Sequence, residues 1–116
     1  MDAMIQHLDS GVIAELQAVL GEEFPVLVRT FLLDGEKRLS ALRGAAGTGD
    51  ANALREAAHS LKGASLNLGA NRLSGLCLEA ETRSRSGTLI GIDALLNDIA
   101  AEFGQVNRLL TTMSRG

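Results

Sequence analysis

The segment that decides the fold is residues 50–69, DANALREAAHSLKGASLNLG. Asp50 is suited to cap the start of a helix, and Gly69 is suited to end one. On a helical wheel of about 100° per residue, small and apolar side chains fall within roughly 60° of Leu54. These side chains are Leu54, Ala57, Ala58, Leu61, Ser65 and Leu68. We therefore predict an amphipathic helix with one buried face over residues 51–68.

The same periodicity continues on both sides of this segment, where apolar residues recur every three or four positions. The pattern predicts helices over residues 9–20, 23–46, 51–68, 70–85 and 92–113. No alternation of apolar and polar residues competes by predicting a strand. Short connections between long helices are typical of antiparallel bundles. The predicted fold is all-α, an up-down antiparallel four-helix bundle with a short additional N-terminal helix, in a single domain over residues 1–116.

The composition limits the classes of function. Asp and Glu number 14 against 11 Lys and Arg, which gives a net charge of −3. Trp and Tyr are absent and Phe occurs three times, so few rings are available to stack on bases. We therefore expect no nucleic-acid partner. Cys77 is the only cysteine, which excludes an intrachain disulfide and a multi-cysteine metal site, and we expect it in the core.

The expected location is the cytoplasm. No apolar run approaches the roughly 18 residues that are needed to cross a bilayer. Residues 1–7, MDAMIQH, lack the basic and apolar regions of a signal peptide. We therefore expect no contact with a membrane.

The third predicted helix carries an exposed histidine. His59 falls about 140° from Leu54 on the wheel, away from the buried stripe. Lys62 follows at i+3, where its ammonium can reach the same surface as the imidazole. Gly63 follows at i+4, although glycine in a helix interior costs about 1 kcal/mol relative to alanine. Leu66 adds an apolar side chain on the same face, so this surface suits a nucleophile that a bulky, anionic partner approaches.

These residues match a known pattern. The run 58–73, AHSLKGASLNLGANRL, closely resembles the core signature of histidine-containing phosphotransfer (HPt) domains. Similar matches extend over nearly the whole chain. They are Leu8-Asp9, Phe31-Leu32, Gly49-Asp50, and Leu76-Cys77 with Glu81.

The resemblance implies a phosphorelay intermediate. His59 would accept a phosphoryl group through Nε2 from a phosphoaspartate on the receiver domain of a hybrid sensor histidine kinase. It would then pass the group to the receiver domain of a response regulator. Lys62 would stabilise the phosphoryl oxygens, and Gly63 would leave clearance for the phosphoryl group and the receiver. Glu81 stands where many HPt domains have a polar residue, commonly glutamine, that orients the histidine through Nδ1.

The same resemblance sets expectations for cofactors and partners. Magnesium would belong to the receiver, so the chain would hold no metal or cofactor of its own and have no ATP-dependent kinase activity. We expect a monomer whose receiver-docking surface includes Arg55, Leu66 and, on the first helix, Ile13. Leu78 also points outward from the fourth helix, and the sequence assigns it no role.

Three alternatives compete with this interpretation. Glu56 and His59 form a Glu-x-x-His pair of the kind found in di-iron bundles, but the chain has no second such pair. A degenerate HPt fold could act as an adaptor that binds signalling partners without phosphotransfer, against which the presence of Lys62 and Gly63 argues. An autophosphorylating kinase would need a glycine-rich nucleotide-binding segment, and none occurs.

Overall fold

The computed structural model describes residues 6–115, so residues 1–5 and Gly116, the ends of the predicted domain, lie outside it. Between Ser10 and Arg115, five α-helices follow one another. They are α1 (Ser10–Leu20), α2 (Phe24–Thr48), α3 (Ala51–Asn67), α4 (Asn71–Arg85) and α5 (Ile92–Arg115). A single 3₁₀ turn, Gly21–Glu23, which the sequence pattern did not predict, joins α1 to α2. Pro25 lies in the first turn of α2, where its missing N–H leaves no hydrogen bond unmade.

The four long helices form a closed bundle. Helix α2 packs against α3 and α5, and α4 packs against the same two helices. Residues 6–115 contain no strand, and the all-α, four-helix fold is confirmed. None of the helices described is both long and apolar enough to span a membrane.

Helix α3 is fixed at both ends. The Asp50 side chain accepts a hydrogen bond from the Ala53 N–H at 2.9 Å, as expected of an N-cap. The predicted apolar stripe is buried along its whole length. Gly69 follows the helix with φ of +70°, and its carbonyl accepts a hydrogen bond of 2.8 Å from the Asp9 N–H. The end of α3 is therefore tied to the start of α1.

The opposite pair of helices, α2 and α5, approaches closely at Gly35. A Cβ at this position would overlap the ring of Phe103 on α5. The ring of Phe103 also packs against Phe31, with 5.8 Å between the ring centroids. Gly35 is thus required for packing.

The position of Ile13 corrects one sequence-based expectation. Ile13 is 1% exposed, so the prediction that it docks a receiver is wrong. Helix α1 closes one end of the bundle, where Leu8 is buried beside the backbone link between Asp9 and Gly69. Ile13 lies with Leu16 and Leu20 on the face of α1 that packs against the core, and Val19 is instead the exposed large apolar residue of α1.

Candidate functional site

The site is centred on His59 in the middle of α3. Its side chain is 67% exposed, although Ala58 beside it is completely buried. The wheel position deduced from the sequence is therefore correct. Because the helix continues for two turns on either side, the imidazole projects from a rigid support.

Glu81 on α4 contacts the imidazole of His59 on the side that faces the bundle. Its side chain is only 2% exposed, and its two carboxylate oxygens have different partners. Oε2 lies 2.8 Å from Nδ1 of His59, and Oε1 accepts a hydrogen bond of 2.7 Å from Nζ of Lys62. The resemblance suggests Glu81 as the residue that orients His59 through Nδ1, and the structure places it in contact with both His59 and Lys62.

Arg85 completes the cluster and was missed by the sequence analysis. Its guanidinium donates to Oε2 of Glu81 at 3.2 Å, so it shares this oxygen with the imidazole. The signal was present in the sequence, because Glu81 and Arg85 are four residues apart on one helix and opposite charges at that spacing pair. Glu81 is therefore a buried carboxylate with three basic groups around it.

The charge of Glu81 determines which ring nitrogen of His59 carries the proton. The hydrogen bond from Lys62 holds the pKa of Glu81 below its ordinary value, against the opposing effect of burial, and the contact with His59 acts in the same direction as Lys62. The carboxylate is therefore ionised at neutral pH and can only accept hydrogen bonds. It follows that Nδ1 of His59 carries a proton and donates a hydrogen bond to Glu81. In the neutral imidazole, Nε2 is then the nitrogen with a free electron pair.

Cys77 lies one turn before Glu81 and is fully buried, as expected. Burial, with the charge of Glu81 as a second cause, raises the pKa of its thiol to about 12. A neutral thiol of this kind is a poor nucleophile. Cys77 is thus part of the core beneath the site.

The surface around His59 is open. A Cβ built on Gly63 meets nothing within 4 Å, so the packing of this chain does not itself require a glycine there. Leu66, one turn further on, is 53% exposed. On the other side of the imidazole lies a shallow pocket, in which Arg55 is held by Asn52 through a hydrogen bond of 2.7 Å. The pocket is lined by Arg55, Glu56, His59, Ser60, Glu81 and Arg85.

The di-iron alternative does not match this geometry. The carboxylate that contacts His59 comes from Glu81 on a neighbouring helix, and the imidazole faces outward rather than into the bundle. Within residues 6–115, no three His, Cys, Asp or Glu side chains are grouped so that they could hold a metal ion.

A second histidine–carboxylate pair lies elsewhere in the molecule. Nδ1 of His7 is 2.7 Å from Oε2 of Glu102 on α5, and Glu102 is 5% exposed. Arg72 at the start of α4 approaches the other oxygen of Glu102, with 3.5 Å between Nε and Oε1. Unlike His59, His7 is largely covered, with 12% of its side chain exposed. The members of this cluster are far apart in the chain, so no local sequence pattern predicts it.

Comparison with known proteins agrees with this fold. A family model described as Hpt domain matches residues 26–112. The chain therefore belongs to the family of histidine-containing phosphotransfer domains, whose members carry phosphoryl groups in two-component phosphorelays and are not kinases.

One solved structure is similar over almost the whole chain. It is the crystal structure of histidine-containing phosphotransfer protein B (HptB) from Pseudomonas aeruginosa PAO1. The two proteins are 46% identical and superpose with a TM-score of 0.91. The match covers 94% of this chain and 95% of HptB. A search of curated protein sequences gives no match.

Proposed function

We propose that His59 is the phosphoryl carrier of a phosphorelay, accepting the group through Nε2 from a receiver-domain phosphoaspartate and passing it to a second receiver. The observation that carries the proposal is the pairing of an exposed imidazole with a buried, ionised carboxylate on Nδ1. This arrangement leaves Nε2 as the nucleophile and directs it away from the bundle. The proposed donor is the receiver of a hybrid sensor kinase, and the proposed acceptor is that of a response regulator.

Lys62 is proposed to neutralise the phosphoryl oxygens. Its ammonium has three donors, of which Glu81 occupies one, so it can bind a phosphoryl oxygen without leaving Glu81. A charge-assisted hydrogen bond of this kind is roughly twice as strong as a neutral one. Magnesium would be supplied by the acidic pocket of the receiver, and the chain itself would need no cofactor.

The docking surface is proposed to lie around His59 on α3. Gly63 leaves room for the receiver, Leu66 offers an apolar contact, and Arg55 offers a positive charge beside the pocket. Because the carrier must release each receiver after transfer, we expect a small interface. We also propose that the carrier is a monomer in the cytoplasm.

The experiment that tests this function is incubation with a phosphorylated receiver and Mg²⁺, followed by intact-mass and site analysis at non-acidic pH. A phosphoryl group on His59 is the expected result. If several active receivers leave the protein unlabelled, the carrier function is wrong, and the degenerate adaptor becomes the better interpretation.

A further inference from the structure

Leu78 is a large apolar side chain that α4 leaves 48% exposed, and Leu66 on α3 is 53% exposed. A single exposed leucine is ordinary on a protein surface, but two that adjoin beside a reactive side chain are typical of an interaction site. We propose that Leu78 and Leu66 form one apolar ledge on which the receiver docks, so that the receiver lies across α3 and α4 together. The proposal rests on the carrier function of His59 and specifies how the partner binds there.

The packing of α3 on α4 brings the two leucines to the same level. Residues 68–70 alone join the two packed helices, so the helices run antiparallel. Lys62 on α3 reaches Glu81 on α4, with 2.7 Å between Nζ and Oε1. Leu66 lies one turn after Lys62, and Leu78 lies one turn before Glu81. Because the helices run in opposite directions, both steps lead toward the α3–α4 turn, and the two leucines lie on the same side of the site.

The ledge is open to a partner. Each leucine follows a glycine by three residues, Gly63 in α3 and Gly75 in α4. A Cβ built on either glycine meets nothing within 4 Å. The surface beside the two leucines is therefore low, and an apolar side chain of the receiver can contact both of them and remove them from water.

The opposite side of His59 is charged rather than apolar. Arg55 lies one turn before His59 on α3, Arg85 lies one turn after Glu81 on α4, and both arginines line the shallow pocket. Glu56, which also lines the pocket, offsets part of this positive charge. The receiver holds its magnesium in an acidic pocket, so the acidic side of the receiver complements the two arginines. The site thus has an apolar end and a positive end, with the imidazole between them.

These two unlike ends define the receiver that fits. Its phosphoaspartate pocket has acidic groups toward the arginines and an apolar side chain on the opposite edge, toward the ledge. Contacts of different chemistry on opposite sides of the imidazole allow one orientation, which brings the phosphorus in line with Nε2 of His59. A receiver with a polar or charged side chain at the edge facing Leu78 would bind less well. Leu78 is therefore a specificity-determining residue as well as a docking residue.

The test is the dependence of transfer on receiver concentration in the full chain, with Leu78→Asp compared with wild type. The probes are response-regulator receiver domains that are phosphorylated in the presence of Mg²⁺. A carboxylate in an apolar contact loses its hydration, so we expect the concentration for half-maximal transfer to rise about tenfold or more, with a smaller change in the maximal rate. The matched control, Leu33→Asp, makes the same change at an exposed leucine of α2 and should give the wild-type value.

Binding is measured separately by NMR titration of the ¹⁵N-labelled wild type with Mg²⁺-loaded receiver. We expect the amide signals of residues 75–82 on α4 to shift together with those around His59 on α3. Shifts confined to α3 would overturn the proposal, and this measurement decides even if Leu78→Asp does not fold. A wild-type concentration for half-maximal transfer in a folded Leu78→Asp protein would also overturn it.

The docking ledge and the carrier function can fail separately. If the receiver labels His59 equally well in wild type and Leu78→Asp, the ledge is wrong and the carrier function stands. If the receiver shifts the signals of α4 but leaves His59 unlabelled, the carrier function is wrong and the ledge stands. Absence of both labelling and binding overturns both. Self-association of the wild type that Leu78→Asp abolishes would assign the ledge to a second copy of this chain and overturn the receiver as its occupant.

Discussion

The two histidines of this molecule are held in the same way in two different settings. His59 and His7 each present Nδ1 to a buried carboxylate, at 2.8 Å from Glu81 and 2.7 Å from Glu102. Each carboxylate also contacts other basic side chains. Glu81 contacts Lys62 and Arg85, and Glu102 contacts Arg72. A histidine–carboxylate pair is therefore not by itself a sign of a phosphoryl carrier.

The difference lies in what surrounds the other side of each ring. His59 stands on the outer face of α3 with open space above Gly63, so a protein partner can reach it. His7 lies against α5, where it contacts Glu102. Two residues later, the backbone N–H of Asp9 donates a hydrogen bond to the carbonyl of Gly69 at the end of α3. The first pair leaves its histidine available for chemistry, and the second ties the segment just before α1 to the bundle.

The largest expected effect separates the two histidines directly. His59→Ala should abolish phosphoryl acceptance while changing the free energy of unfolding by no more than about 1 kcal/mol, because the side chain is exposed. His7→Ala is the matched control and should accept the phosphoryl group on His59. Mass analysis measures the label, and chemical denaturation measures stability. Label retained in His59→Ala, or lost in a folded His7→Ala, would contradict the assignment of the two histidines.

The second prediction removes the open space that distinguishes His59. Gly63→Gln places a long side chain where nothing lies within 4 Å, so it should not disturb the fold. Obstructing the approach should slow transfer from a phosphorylated receiver by about tenfold or more. Labelling by phosphoramidate should change much less, since a small donor needs less room. Stopped transfer reactions sampled over time give both rates.

The control for this change is Gly44→Gln on α2, another helical glycine with open space around it. It makes the same substitution away from His59, and its transfer rate should equal that of wild type. Equal transfer rates for Gly63→Gln and wild type would eliminate clearance as the role of Gly63.

The third prediction concerns a substitution in the pair formed by His7 and Glu102. Glu102→Gln should lower the free energy of unfolding by about 1–3 kcal/mol, because the single amide oxygen cannot serve both His7 and Arg72 as the two buried carboxylate oxygens do. Transfer to and from His59 should be unchanged. Urea denaturation and the receiver assay test the two statements separately. If Glu102→Gln slowed transfer without loss of stability, the second pair would be more than a structural tie.

Local patterns in the sequence were enough to predict the bundle and the placement of His59. A helical stripe is a property of residues close together in the chain, so the buried face of α3 follows from its spacing. The matching of His59, Lys62 and Gly63 to one face has the same origin. These predictions needed no knowledge of which helices become neighbours.

The features that were missed depend on contacts between distant elements. Ile13 lies on the same apolar face of α1 as Leu16 and Leu20, and the contact of this face with the rest of the bundle buries it. His7 and Glu102 are 95 residues apart, so no local pattern connects them. The burial of Glu81 results from the packing of α3 on α4, although its i,i+4 spacing with Arg85 could have been recognised.

The smallest expected effect concerns acid stability and tests whether Glu81 is the ionised partner. The hydrogen bond from Lys62 keeps the pKa of Glu81 lower in the folded protein than in the unfolded chain. Between these two values the unfolded chain binds more protons, so the stabilisation is complete above the unfolded value and is lost as pH falls through the folded one. The window lies below about pH 4.3, the ordinary value of a glutamate. The free energy of unfolding of wild type should therefore fall more steeply there than that of Glu81→Gln, as measured by urea denaturation over a pH series. A constant difference in the free energy of unfolding between the two proteins, from neutral to acid pH, would mean that the pKa of Glu81 is not lowered in the folded protein. The electrostatic distinction between the His59–Glu81 pair and the structural His7–Glu102 pair would then be wrong.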